Sequence, residues 1–187
     1  MNCSVFIGVS GDGFIADSDG GVDWLEEAGA SGVDMAGEDD MGFQQFLAGV
    51  DCLIMGRKCM EKISSFNLSD EQWPYGDRKI VVLSRTHQVV PENLEGKMTL
   101  WNRGIPELLE QLETQGYSSA YIDGGMTIRS FLELGLIDEM TLSYAPLLIG
   151  SGVPLFGGLE RKVELYNAKV KAYPNDFVQV GYHLRYL

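Results

Sequence analysis

Basic residues are scarce in this chain: 14 lysines and arginines face 27 aspartates and glutamates, a formal net charge of −13 over 187 residues. A surface of that sign repels nucleic acid and anionic membrane, so neither is expected as a partner. Histidine is scarcer still. His87 and His183 are far apart and without ligand spacing, which argues against a zinc centre. Ser10 is outside any G-x-S-x-G elbow, and a serine triad would have to recruit one of those two histidines. The three cysteines, Cys3, Cys52 and Cys59, are odd in number and form no C-x-x-C, so neither a disulfide framework nor a thiolate metal site is indicated. No apolar stretch approaches the roughly 18 residues of a spanning helix, and no basic segment precedes the first apolar run. A soluble, cytoplasmic protein is expected. There is no internal repeat and no linker. With 45% hydrophobic residues the chain can bury a sizeable core, which predicts a single domain over 1–187.

What is present alternates between strand and helix. Cys3 to Val9 is an apolar run stopped by the turn-forming Ser10-Gly11-Asp12-Gly13. Gly8, Gly11 and Gly13 do not have the spacing of a dinucleotide fingerprint, and no amphipathic helix follows. Residues 17–40 predict a long acidic loop anchored by Trp24-Leu25, with Glu38-Asp39-Asp40 as a solvated helix start. Phe43, Phe46, Leu47 and Val50 then mark a helix face for the core. Asp51 to Met55 predicts a strand closed by Gly56 and followed at once by Arg57-Lys58. Within it, Cys52 reads as a small buried hydrophobe. Lys79 to Leu83 is apolar without alternation, as in a parallel strand covered on both faces, and ends in Ser84-Arg85-Thr86. A fourth run, Met98 to Trp101, precedes a helix marked by Ile105, Leu108, Leu109 and Leu112, with Pro106 in its first turn. Ala120 to Ile122, the pair Gly124-Gly125, and the helical spacing of Ile128, Phe131 and Leu132 predict strand, tight turn and helix, closed by Gly135. Residues 137–149 read as a strand before the loop GSGVPLFGG. Residues 163–172, the turn Pro174-Asn175-Asp176 and the alternating Val178, Val180, Tyr182, Leu184 and Tyr186 predict an antiparallel ending. The fold class is therefore an α/β sandwich on a mixed, mostly parallel sheet.

Ligands of open α/β sheets bind beyond the carboxyl ends of the strands. Three such ends are Gly56-Arg57-Lys58, Ser84-Arg85 and Gly124-Gly125. Together they offer cations, a hydroxyl and a glycine turn at a helix start, the groups that suit a ligand with a terminal phosphate and a pyrophosphate. Plainer readings compete for each: an arginine after a strand usually solubilises, and a glycine pair can merely let the chain reverse. Recurrence at three equivalent ends is what favours a site. Asp12 and Asp23 are candidate general acids, against turn-forming and solvated roles. Cys59, beside two cations near a helix start, is either packed or a thiol of lowered pKa.

The segments MGRKC (55–59), LSR (83–85), DGG (123–125) and SGDGFIA (10–16) resemble the dihydrofolate-reductase-like superfamily. Within it, IDEMTLSYAPLLIGSGVPLF (137–156) is most similar to the reductase domain of the bifunctional riboflavin-pathway deaminase-reductase. The resemblance implies a three-layer sandwich and hydride transfer from NADPH. By motif position, Gly56, Arg57 and Lys58, with Ser84 and Arg85, would hold the adenosine 2′-phosphate and ribose. Gly124, Gly125, Met126, Thr127 and Ile128 would cradle the pyrophosphate. Gly8, Val9, Ile15 and Ala16 would line the nicotinamide, and Trp24 and Asp123 would face the substrate. It also implies a homodimer. Two departures stand out. Trp24 is followed by LEEAGAS, without the proline and carboxylate setting of folate-reducing members, and the deaminase signature is absent. The expected acceptor is the ribosyl carbon of a phosphoribosylamino-pyrimidine or a related small carbonyl or imine. Reduction of dihydrofolate, another pteridine or another small molecule, and a non-catalytic NADP-binding regulatory module, are the alternatives.

Overall fold

Strand β1 (Asn2–Ser10) runs through the middle of the molecule, and the chain then moves outward from it in both directions. In order follow β2 (Phe14–Ala16), α1 (Asp23–Glu27), α2 (Phe43–Ala48), β3 (Cys52–Gly56), α3 (Arg57–Phe66), β4 (Lys79–Leu83), β5 (Met98–Trp101), α4 (Ile105–Thr114), β6 (Ser119–Asp123), α5 (Gly125–Leu134), β7 (Glu139–Ala145), β8 (Val153–Pro154), β9 (Val163–Ala172) and β10 (Val178–Tyr186). This computed structural model describes residues 1–86 and 89–187; His87 lies outside the described residues. The eight-stranded sheet has the order β5-β4-β3-β6-β1-β7-β10-β9. The first six strands are parallel, and β10 and β9 close the sheet antiparallel.

Parallel pairing puts crossover helices on the faces, and the two faces are filled by different ones. Phe131, Ile128 and Leu132 of α5 and Leu108 and Leu112 of α4 pack on Val5, Ile54 and Ile122. Met60 and Ile63 of α3 and Leu47 of α2 pack on Leu53, Met55, Ile80 and Val82 on the opposite face. Residues 53–55 of β3 are buried on both sides, which is why their sequence shows no alternation. Phe131 is fully buried, so Phe131→Ala would cost about 3–5 kcal/mol. Gly135 ends α5 at φ 72, in the left-handed conformation that glycine adopts without strain.

The N-terminal edge of the sheet is stapled. Asp51, just before β3, accepts hydrogen bonds from the Ser118 N–H and Oγ–H, both at 2.8 Å, and from the Ser119 N–H at 3.0 Å. These donors favour the ionised carboxylate and bring its pKa down to about 2.

Several expectations need amendment. The 17–40 segment is not loop throughout, since α1 forms around Trp24. Asp40 does anchor the start of α2, accepting from the Gly42 and Gln44 N–H groups, but Glu38 pairs with Lys171 on β9. The strand expected over 137–149 is confined to β7. Phe14–Ala16 and Val153–Pro154 pair as a separate two-stranded sheet, too short for any periodicity to announce it. In the hairpin, Asn167 at φ 54 and the register shift at Gly181/His183 mark a bulge. The apolar side of this hairpin keeps no covering layer: Val170 is 67% exposed and Val178 38%.

Candidate active site

Strand β6 lies between β3 and β1 but does not stay paired with both. Its pairing with β3 runs to Met55↔Asp123, whereas its pairing with β1 ends at Ser4↔Tyr121. Strand β1 stays with β7 as far as Ser10↔Ala145. The sheet therefore opens between β1 and β6 toward their carboxyl ends, with Gly8 and Val9 on one side of the gap and Asp123 and Gly124 on the other. This is the kind of crevice in which doubly wound sheets hold their ligands.

On the β6 side, the predicted strand ends are brought together. Helices α3 and α5 start at this edge with Gly56 and Gly124 as N-caps, and neither cap is closed by a side-chain hydrogen bond. Free N–H groups and the positive ends of two helix dipoles thus meet at one edge, which favours an anion there. The glycines are required by contact. Gly124 has φ 90, and a Cβ on it would lie 2.5 Å from Cys59 Sγ. A Cβ on Gly125 would lie 2.5 Å from Ile15 Cδ1, and one on Gly56 would lie 2.9 Å from Thr127 Oγ1. Thr127 and Ile128 are buried, while Met126 is 70% exposed on the outer face of the first turn. Val9 and Ala16 are buried and Ile15 partly so. Ser84 is buried, with its N–H donating to the Trp101 carbonyl at 2.9 Å. Arg57 forms an i,i+4 ion pair with Glu61 at 2.5 Å. Lys58 and Arg85 are exposed and have no ion-pair partner among the described residues. Arg85 is therefore the less committed guanidinium.

The β1 side has the opposite character. The first 56 residues hold eleven aspartates and glutamates and no lysine or arginine. Phe6, on the same face of β1 as Gly8, meets Phe43 and Phe46 of α2 with ring centroids 5.5 and 5.1 Å away. Tyr121 stands edge-on to Phe46 at 5.1 Å and donates its hydroxyl to the Phe6 carbonyl at 2.9 Å. All three phenylalanines keep part of their surface open. Helix α1 is clamped over β1, because Leu25 packs where a Cβ on Gly8 would lie, 2.8 Å from its Cδ2. Beside Leu25, Trp24 is only 9% exposed, yet its indole N–H has no hydrogen-bond partner among the described residues. A buried donor left unmade is costly and rare.

Asp123 sits where the two sides meet. Burial raises its pKa, and the Gly124 N–H and the nearby Tyr121 hydroxyl and Cys59 thiol only partly offset this. Part of its surface remains open even so. A carboxyl in such surroundings holds its proton to higher pH than an ordinary aspartate and can give it up in a reaction.

Other candidates are assigned different work. Asp12 is committed to a turn: it accepts from the Ser10 hydroxyl at 2.6 Å and from the Ile149 and Gly150 N–H groups, and these bonds hold its pKa down. An acid kept ionised is a poor proton donor. Asp23 is exposed in the first turn of α1. Cys59 is the packed alternative, with desolvation and the nearby Asp123 pushing its thiol up, not down. His183 on β10 lies 3.6 Å from Glu139 at the start of β7, the opposite end of the parallel strands from this edge. The residues that sequence reasoning passed over are Phe6, Phe43 and Phe46. The helical spacing of Phe43 and Phe46 reads as core, and only the tertiary arrangement reveals their open faces. Shallow open depressions occur elsewhere, over Gly181, one lined by Thr141, Lys169 and Gln179 and the other by Glu139, Tyr182 and His183.

A mostly parallel sheet covered on both faces, an antiparallel C-terminal hairpin and a glycine-turn edge define a dihydrofolate-reductase-like α/β protein. More narrowly, the chain belongs to the RibD C-terminal domain family, whose model matches residues 3–179. It is 37% identical to a putative riboflavin biosynthesis protein from Shewanella sp. PV-4, with a TM-score of 0.86 over 99% of each chain. The uncharacterized protein YwjB of Bacillus subtilis strain 168 is 31% identical over 86% of both chains. In fold alone it is similar to the diaminohydroxyphosphoribosylaminopyrimidine deaminase/5-amino-6-(5-phosphoribosylamino)uracil reductase of Thermotoga maritima. That similarity has a TM-score of 0.64 at 14% identity and covers 97% of this chain but 56% of that one.

Proposed function

We propose that the protein is a cytoplasmic NADPH-dependent reductase of the riboflavin-pathway type, acting on a small carbonyl or imine acceptor. The observation that carries this reading is the meeting of two open helix N-termini, three glycines and the Arg57 and Arg85 strand ends at one edge of the sheet. NADPH, when bound, supplies a hydride. The residues present fit it: Arg57, Lys58, Ser84 and Arg85 would hold the 2′-phosphate and ribose, and Gly124 to Ile128 would hold the pyrophosphate. Gly8, Val9, Ile15 and Ala16 would line the nicotinamide. Leu25, α1 and the aromatic rings exclude water from the opposite wall. Asp123, whose burial favours the protonated carboxyl, would deliver a proton to the acceptor's nitrogen or oxygen and regain it through its open edge. Positioning of the two reactants accounts for the remainder of the rate.

Fluorescence titration with NADPH and NADH tests this. Each charge-assisted contact to the 2′-phosphate is worth about 1.5–3 kcal/mol. Arg85→Ala should therefore weaken NADPH binding by about tenfold or more and Arg57→Ala, already paired with Glu61, by less, with NADH nearly unchanged. Equal losses for the two dinucleotides would remove the assignment. Binding of NADPH with no oxidation against any acceptor would favour a regulatory module instead.

A homodimer is part of the same proposal. On β9 and β10, Val170 and Val178 are exposed and Val180 and Tyr182 are only partly covered by the described residues, and a second copy would cover them. Light scattering should give twice the chain mass. A Val170→Lys variant should shift it toward the monomer.

A further inference from the structure

The two walls of the cleft differ in what they can hold, and the difference bears on the acceptor. The β6 wall offers cations and open helix N-termini. The β1 wall, with α1 and α2, offers the part-open rings of Phe6, Phe43 and Phe46, and its own segment carries no cation up to Arg57. On the segment leading into it, Asp17, Asp19, Asp23, Glu26 and Glu27 add only negative charge. Asp123 closes the inner end. A phosphate arriving here would meet the like charge of this segment, while a flat ring would meet apolar and aromatic faces.

We infer that the acceptor is seated against Phe6, Phe43 and Phe46 beside Asp123, and that it is a flat conjugated molecule, neutral or cationic, carrying no phosphate. This rests on the reductase reading above and departs from the phosphorylated acceptor that the family resemblance implies. The cofactor takes the cationic end of the edge. The acceptor takes the acidic one. Asp123 then serves the polar edge of the ring as an acid.

The test is calorimetric titration of the full chain with three matched pairs that differ only by a phosphate: uridine and uridine 5′-phosphate, riboflavin and riboflavin 5′-phosphate, thiamine and thiamine phosphate. NADP+ binding is scored first, so failure of the dinucleotide reading is seen by itself. The pairs are then titrated with NADP+ saturating, and again on the Arg57→Ala/Arg85→Ala variant without it. Neither arrangement lets a phosphate score by occupying the cofactor's end. In the pairs that bind, the unphosphorylated member should bind about tenfold tighter or more. Phe46→Ala should weaken that member by a similar factor. Phe46→Leu, which keeps the helix packed but removes the ring face, should weaken it by roughly threefold. The inference is overturned if the phosphorylated members bind as well or better. It is equally overturned if no member of any pair binds at low-millimolar concentration, or if both Phe46 variants leave ring binding unchanged in a folded protein.

Discussion

Two aspartates stand at opposite ends of the same parallel strands, and their surroundings push them in opposite directions. Asp51, at the N-terminal edge, is exposed and ringed by the donors of Ser118 and Ser119, and its pKa falls to about 2. Asp123, at the C-terminal edge, is desolvated beside Cys59 and Tyr121, and its pKa rises. At the N-terminal edge, strand starts are tied to each other through a carboxylate oxygen that accepts three hydrogen bonds. At the C-terminal edge, N-caps are left open and burial disfavours the ionised form of an acid. Fold maintenance and chemistry are thus separated along the strand direction, and variants at the two edges should fail in different assays.

The largest expected effect is at Asp123. Asp123→Asn removes the transferable proton but keeps the shape, and general acids contribute about 10²–10⁴-fold, so turnover should fall by roughly 100-fold or more with NADPH affinity little changed. Stability should move the other way. A carboxyl whose folded pKa is raised binds more protons folded than unfolded, so the wild type loses stability as pH rises from the ordinary aspartate value through the raised one. Asp123→Asn, which cannot ionise, should gain in melting temperature over the wild type as pH climbs through that window, then level off. A variant that lost turnover and stability together at neutral pH would make Asp123 structural, like Asp51.

Next in size is the glycine turn. At Gly124 both the φ of 90 and the Sγ of Cys59 stand against a side chain. Gly124→Ala should cost about 1–3 kcal/mol in backbone strain and weaken NADPH by at least about tenfold as the α5 N-terminus shifts. Adding Cys59→Ala separates the two causes. It relieves the contact but not the φ, so recovery of affinity in the double variant would assign the loss to crowding, and its absence to the backbone.

The C-terminal edge was legible from sequence to the extent that its parts are local. Lys79 to Leu83 announces a doubly covered strand by lacking alternation, Gly135 announces a helix end, and Arg57, Arg85 and Gly124 each follow an apolar run directly. Their position at one edge then follows from parallel pairing alone. What could not be read is whatever depends on long-range packing. The open faces of Phe43 and Phe46 exist only because Phe6 comes from a strand almost forty residues earlier. The pairing of Phe14 with Pro154 joins segments too short to carry a period. The sign of a pKa shift was equally hidden, since Asp12 and Asp123 both precede glycine in the sequence and differ in their burial and in the donors around them.

The smallest effect, and the control for the others, is at Asp51. Asp51→Asn keeps an acceptor oxygen but loses the charge that three donors converge on, and it brings an NH2 group among them. Hydrogen bonds to a charged group are worth about 1.5–3 kcal/mol, and exposure discounts this, so a loss of about 1 kcal/mol, or roughly 2–4 °C, is expected at neutral pH. The sign of its pH dependence is opposite to that at Asp123. A depressed folded pKa contributes stability above the ordinary aspartate value, and this is lost as pH falls toward about 2. The gap between Asp51→Asn and wild type should therefore be full at neutral pH and narrow on acidification, by differential scanning fluorimetry. NADPH affinity should not move. If Asp51→Asn weakened NADPH as much as Gly124→Ala does, the two edges would not be independent, and the separation of staple from site would be lost.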